Sequence, residues 1–150
     1  MNGAEAIIRT LIDADVGTVF GYPGGAVIPL YHELYKYQDQ IHHIRLTHEQ
    51  HVVHAADGYA RATGNVGVCF VTSGPGATNT ITGIATAFLD SIPLVVIAGQ
   101  VPSGLLGLDS FQEIDITGIT MSVTKHNVLV RSMKDLVPTM IEAMEIAASG

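Results

Sequence analysis

Two unbroken apolar runs constrain this chain most. "VGVCFV" (66–71) and "IPLVVIAG" (92–99) are each one strand long and show no polar alternation, which is the pattern of strands covered on both faces. Between them "ATNTITGIATAFLD" (77–90) returns to helical spacing. Two buried strands joined through a helix pair in parallel, with a right-handed crossover. The unit recurs upstream: "TVFGY" (18–22) precedes "AVIPLYHELYKY" (26–37), and "IHHIRL" (41–46) precedes "EQHVVHAADGYARA" (49–62), which Gly64 closes. A first helix is expected from the N-cap pair Asn2 and Glu5, with Ala6, Ile7, Leu11 and Ile12 on one face, ending near Asp15 to Gly17. Downstream the pattern predicts an irregular stretch over 100–113, a strand at "HNVLV" (126–130) and a closing helix over 133–148 that tolerates Pro138 in its first turns. The expected fold class is α/β, a single three-layer α/β/α domain on a parallel sheet. Ligands of such sheets bind outside the carboxyl ends of the strands, which selects the loops 21–25, 46–49, 72–76 and 99–112.

Composition excludes several functions. The 150 residues carry 14 acidic against 7 basic side chains with no basic run, so a nucleic-acid backbone is not an expected partner. The single Cys69 lies inside an apolar run; it can form neither a disulfide framework nor a cysteine zinc site, and a reducing, cytoplasmic setting fits best. Charges at Glu5, Arg9 and Asp13 rule out a signal peptide or spanning helix at the start, and the chain is expected to be mature as written. Its stop at "AASG", directly after a helix, has the look of a cut. Only 14% of residues are charged and the mean hydropathy is +0.35, which predicts apolar surface that other domains or subunits cover.

The candidate chemistry sits in the selected loops. "HEQH" is one residue short of the zinc-protease pattern and residue 52 is Val, so that reading fails. His51 and His54 could share a metal but lack a third ligand of clear spacing; they read as packed or surface histidines. "TSGPGATN" (72–79) is not a P-loop, and as a dinucleotide fingerprint it has Asn79 where the third Gly belongs. Pattern alone favours a tight turn, with nucleotide binding as the second reading. "GYPGGA" (21–26) is equally readable as a turn or as a place where a ligand approaches bare backbone. Glu49 is either a solvated residue stabilised by the helix dipole or a partly desolvated carboxylate with a proton to exchange.

Taken together, "FGYPGGA", "HEQ", "GYARATG", "TSGPGATN", "DSIPLVVIAGQV" and "FQE", in this order and at these separations, closely resemble the N-terminal domain of the acetohydroxyacid synthase (acetolactate synthase) large subunit. The resemblance runs from about residue 3 to residue 150. It implies a pyrimidine-binding domain of a thiamine-diphosphate enzyme, followed in the family by a central FAD-associated domain and a C-terminal domain that binds the diphosphate with Mg2+, both absent from this chain. It implies that Glu49 hydrogen-bonds a ring nitrogen of the cofactor's aminopyrimidine and shifts it toward the imino form, so that the exocyclic nitrogen can take a proton from the thiazolium carbon. Desolvation suits a carboxylate to such sharing of a proton.

By the same resemblance Gly24 and Gly25 lie against the reacting carbon, Tyr22 and Pro23 shape that loop, and Thr72, Pro75 and Asn79 wall in the aminopyrimidine. Gln112 reaches bound intermediate. Ala26, Pro102, Ser110 and Phe111 line the channel where herbicides bind in the family, although Ala is common at the Ser110 position in relatives. No metal ligand is assigned within these residues. The implied reaction is decarboxylation of pyruvate and transfer of a two-carbon unit to pyruvate or 2-ketobutyrate, in branched-chain amino acid biosynthesis. It implies a homodimer at least, with a regulatory small subunit as a possible partner, and a chain that is catalytically silent alone. A sister thiamine-diphosphate enzyme, such as a glyoxylate carboligase, a catabolic acetolactate synthase or an oxidase, stays open as an alternative, and behind it a non-catalytic Rossmann-like nucleotide-binding module.

Overall fold

The computed structural model describes residues 1–149. Four strands, β1 (Thr18–Gly21), β2 (His42–Arg45), β3 (Gly67–Val71) and β4 (Leu94–Ala98), form one sheet in the order β2-β1-β3-β4, and every pair is parallel. Helices α1 (Gly3–Asp13), α2 (Ile28–Lys36) and α7 (Met133–Ala148) cover one face; α3 (Glu49–Thr63) and α5 (Ile81–Leu89) cover the other. The architecture is the three-layer α/β/α expected from the apolar runs.

Strand alternation explains the two cores. Val19, Val68, Phe70 and Val95 point to the α1/α2/α7 side, where Ile8, Leu11, Val27, Leu30, Leu34 and Met140 meet them. Phe20, Cys69, Val71 and Val96 point to the other side, against Val52, Val53 and Ala56 of α3 and Ile84 of α5. All five residues of β3 are buried, which is why "VGVCFV" carries no polar position. Burial pushes the Cys69 thiol up to about 12, so this cysteine packs as a small apolar residue and is not a nucleophile.

Three expectations change. "HNVLV" joins no ladder among the described residues. Its Asn127 side chain instead donates to the Thr117 carbonyl at 2.9 Å and to the Thr120 hydroxyl at 3.1 Å, tying the segment to α6 (Ile116–Thr120), a short helix the periodicity did not reveal. The long helix expected over 77–90 is broken into α4 (Pro75–Thr78) and α5, with Asn79 and Thr80 between them. The first helix ends at Asp13, and Asp15 turns the chain with φ 57°.

The chain leaves β1 toward β2 and leaves β3 toward β4. The strand order therefore reverses between β1 and β3, and the loops after these two strands diverge to open a crevice.

Candidate active site

The loops at that crevice are held by close backbone approaches. A Cβ on Gly24 would lie 2.5 Å from Thr72 Cβ, so only glycine lets the loop after β1 reach the turn after β3. A Cβ on Gly76 would lie 2.6 Å from Thr72 Cγ2 and 3.3 Å from Glu49 Oε1. Thr72 Oγ1 accepts a hydrogen bond from Ala26 N–H at 3.2 Å.

Glu49 is the first residue of α3, and its side chain is buried rather than solvated, with 8% exposure. Asn79 Nδ2 donates to Glu49 Oε2 at 3.0 Å, while Oε1 faces the bare Cα of Gly76. The carboxylate stands in the first turn of α3, at its N-terminus. His48 precedes Glu49 as the N-cap, its Nδ1 accepting from Gln50 N–H at 3.1 Å; His48 and His51 are exposed. His48 therefore serves the helix end, His51 lies at the surface and His54 is half-buried.

Gln112 adopts φ 61°, and Gly74, at φ 58°, is bare enough that its missing Cβ would lie 2.9 Å from Gln112 Cα. This brings the 99–113 stretch onto the 72–76 turn. Glu113 fastens the stretch: its carboxylate accepts from the N–H of Gly107, from Ser110 N–H at 3.1 Å and from Ser110 Oγ at 3.1 Å. These donors, the Gly107 N–H foremost, hold the Glu113 carboxyl below the usual range. Phe111 projects outward at 88% exposure and Pro102 is exposed. Thus Tyr22 to Ala26, Glu49, Thr72 to Asn79 and Gln112 share one end of the sheet, whereas Pro102, Ser110 and Phe111 lie on the outlying loop.

A family model described as "Thiamine pyrophosphate enzyme, N-terminal TPP binding domain" matches residues 1–119. The chain belongs to this family. Among curated relatives of this thiamine pyrophosphate (thiamine diphosphate) enzyme domain, acetolactate synthase of Mycobacterium bovis is 55% identical over the whole chain, which covers 24% of that protein. The acetolactate synthase isozyme 3 large subunit of Escherichia coli is likewise 55% identical, with 26% covered, and the isozyme 2 large subunit is 52% identical, with 27% covered. The chain spans about a quarter of the length of these relatives.

The residues present fit the pyrimidine half of thiamine diphosphate. A buried carboxylate has one oxygen anchored by Asn79, and the other lies beside a glycine whose side chain would fill the adjoining space. Among the described residues no three His, Cys, Asp or Glu side chains gather as a cation site. Asn79, at the place of the third glycine in a dinucleotide fingerprint, is occupied by Glu49, which explains why that fingerprint is incomplete. Sequence reading of this thiamine pyrophosphate domain missed Glu113. Its only sequence signal was its place after Phe111 and Gln112.

Proposed function

We propose that the protein carrying this domain is an acetolactate synthase, which decarboxylates pyruvate and transfers the two-carbon unit to pyruvate or 2-ketobutyrate in branched-chain amino acid biosynthesis. The observation that carries the reading is 55% identity across all 150 residues to acetolactate synthase large subunits, with the buried Glu49 at the strand-order reversal in support. Thiamine diphosphate, when bound, supplies a carbon acid that adds to a 2-keto acid and stores the electron pair left by carbon dioxide.

The residues of this chain then have distinct duties. Asn79 holds Oε2 of Glu49, leaving Oε1 to share a proton with a ring nitrogen of the aminopyrimidine. Thr72, Pro75 and Gly76 form the wall behind that ring. Gly24 and Gly25 present bare backbone to the reacting carbon, with Tyr22 and Pro23 setting the loop's course. Gln112 reaches the bound reactant; Ala26, Pro102, Ser110 and Phe111 line its path. Mg2+ and FAD belong to further domains, one central and one C-terminal.

Phe111, Leu89, Met121 and Leu108 are 88, 80, 71 and 66% exposed, large apolar side chains that a homodimer or larger assembly would cover, and this supports such an assembly. A regulatory subunit and a cytoplasmic site of action complete the reading; no helix among the described residues is long and apolar enough to cross a membrane. The test is acetolactate formation from pyruvate by the full-length protein, with FAD supplied and thiamine diphosphate and Mg2+ present or withheld. Cofactor-dependent acetolactate supports the synthase. A different product from pyruvate would move the protein to a sister enzyme, and adding 2-ketobutyrate reports acceptor choice.

A further inference from the structure

The Gly24–Val27 turn lacks the means to hold itself. Gly24 occupies the N-cap of the short 3-10 turn Gly25–Val27 and has no side chain to cap it; a Cβ on Gly25 would meet nothing within 4 Å. Val27 N–H bonds to the Gly24 carbonyl at 3.0 Å, which leaves the Ala26 N–H to be met from outside the turn. The missing cap comes from the turn after β3, because Thr72 Oγ1 accepts from Ala26 N–H. That donor is one an ordinary N-cap side chain would satisfy. Thr72 is 9% exposed, and its β-branched side chain is stiff at χ1. Its Cγ2 lies against Gly76, whose other neighbour is Glu49 Oε1.

We propose that Thr72 is a positioning residue whose hydroxyl oxygen caps the Gly24–Val27 turn from across the crevice and so sets the distance between the bare glycine backbone and Glu49. The loop after β1 and the carboxylate after β2 belong to different connections, and this side chain touches the wall of each. The consequence for catalysis rests on the synthase reading; the capping itself does not.

The test uses the full-length protein. In the unmodified protein the Ala26 amide should exchange with deuterium at least about tenfold more slowly than that of Gly25, as a bonded amide does. Thr72→Val keeps the shape and removes the acceptor. It should bring Ala26 exchange to the Gly25 level, leave α3 exchange unchanged, lower the melting temperature by no more than a few degrees, as loss of one cap does, and lower kcat at least about tenfold, as a misplaced loop does. The half-saturating thiamine diphosphate concentration should stay within about threefold, because the hydroxyl acts on the loop. Thr72→Ser should restore the protection and most of kcat. Equal exchange at Ala26 and Gly25 in the unmodified protein overturns the proposal even if Thr72→Val does not fold. So does unaltered kcat in Thr72→Val, a loss that thiamine diphosphate excess repairs, or a Ser variant as impaired as Val. If the unmodified protein makes no acetolactate, the synthase reading fails, and the exchange data still decide the capping.

Discussion

A carboxylate removed from water needs a compensating donor or field. Glu49, in the first turn of α3, has such a donor in Asn79. Glu49→Gln keeps the shape and cannot share a proton. Turnover in the full-length protein should fall by about 10²–10⁴-fold, the range of general acid–base contributions, while the melting temperature holds; near-normal turnover would remove Glu49 from the chemistry. The two glycines of the neighbouring loop should separate cleanly. Gly24→Ala drives a Cβ into Thr72 and should destabilise by about 1–3 kcal/mol, as overpacking does, whereas Gly25→Ala meets nothing and should melt like the parent. Thermal denaturation of the two variants checks this. The pattern singled out Glu49 and the glycine loop, a lone charge and bare backbone at strand ends, but left the role of each open, and it was the resemblance of the whole motif series that assigned them. The role of Thr72 was not legible, since its bond to Ala26 joins residues 46 apart and no local pattern records it.

At the level of elements, β3 and β4 were the clearest because burial on both faces removes every polar position. The break between α4 and α5 was hidden. Its residues keep helical spacing, and the break falls at Asn79 and Thr80, where Asn79 turns its side chain onto Glu49. "HNVLV" misled for the opposite reason: β-prone residues form a strand only where a ladder partner exists, and here Asn127 supplies the attachment by its side chain. Where α5 crosses α3, a Cβ on Gly83 would lie 2.0 Å from Val53 Cγ1. Gly83→Ala should therefore cost about 1–3 kcal/mol, and Val53→Ala in the same chain should recover part of it, giving a non-zero coupling in a double-mutant cycle read by denaturant unfolding. The loop clasped by Glu113 has a pH signature. Its carboxyl is held low in the fold, so the clasp is fully present above the ordinary carboxylate range and is lost as pH falls through the lower folded value. Slow exchange at the Gly107 and Ser110 amides should persist at pH 5 and fade only below about pH 4.3, the unperturbed Glu value. Glu113→Gln should show faster exchange at pH 7 and no such transition.

On the scale of the molecule, the crevice opens between the loops after β1 and β3. The loops after β1, β2 and β3 supply a carboxylate, bare backbone and an amide, yet among the described residues nothing gathers to hold a cation. Large apolar side chains such as Phe111 and Leu89 stand in solvent. On the synthase reading another body would cover such a surface, and a closed two-fold pair is the commonest way for identical chains to supply it. If the pyrimidine wall of one subunit faces the diphosphate domain of its partner, two inactive copies can rescue one another. Co-expression of full-length Glu49→Gln with a copy intact over residues 1–150 but disabled in its C-terminal domain then places both lesions in one site of each mixed dimer and none in the other. With random pairing half of the dimers are mixed and half of their sites are sound, so activity should return to about a quarter of the parent level for a two-fold dimer. Failure to exceed the activity of either copy alone, with mixed dimers verified by differential tags, would mean that each site is built within a single subunit.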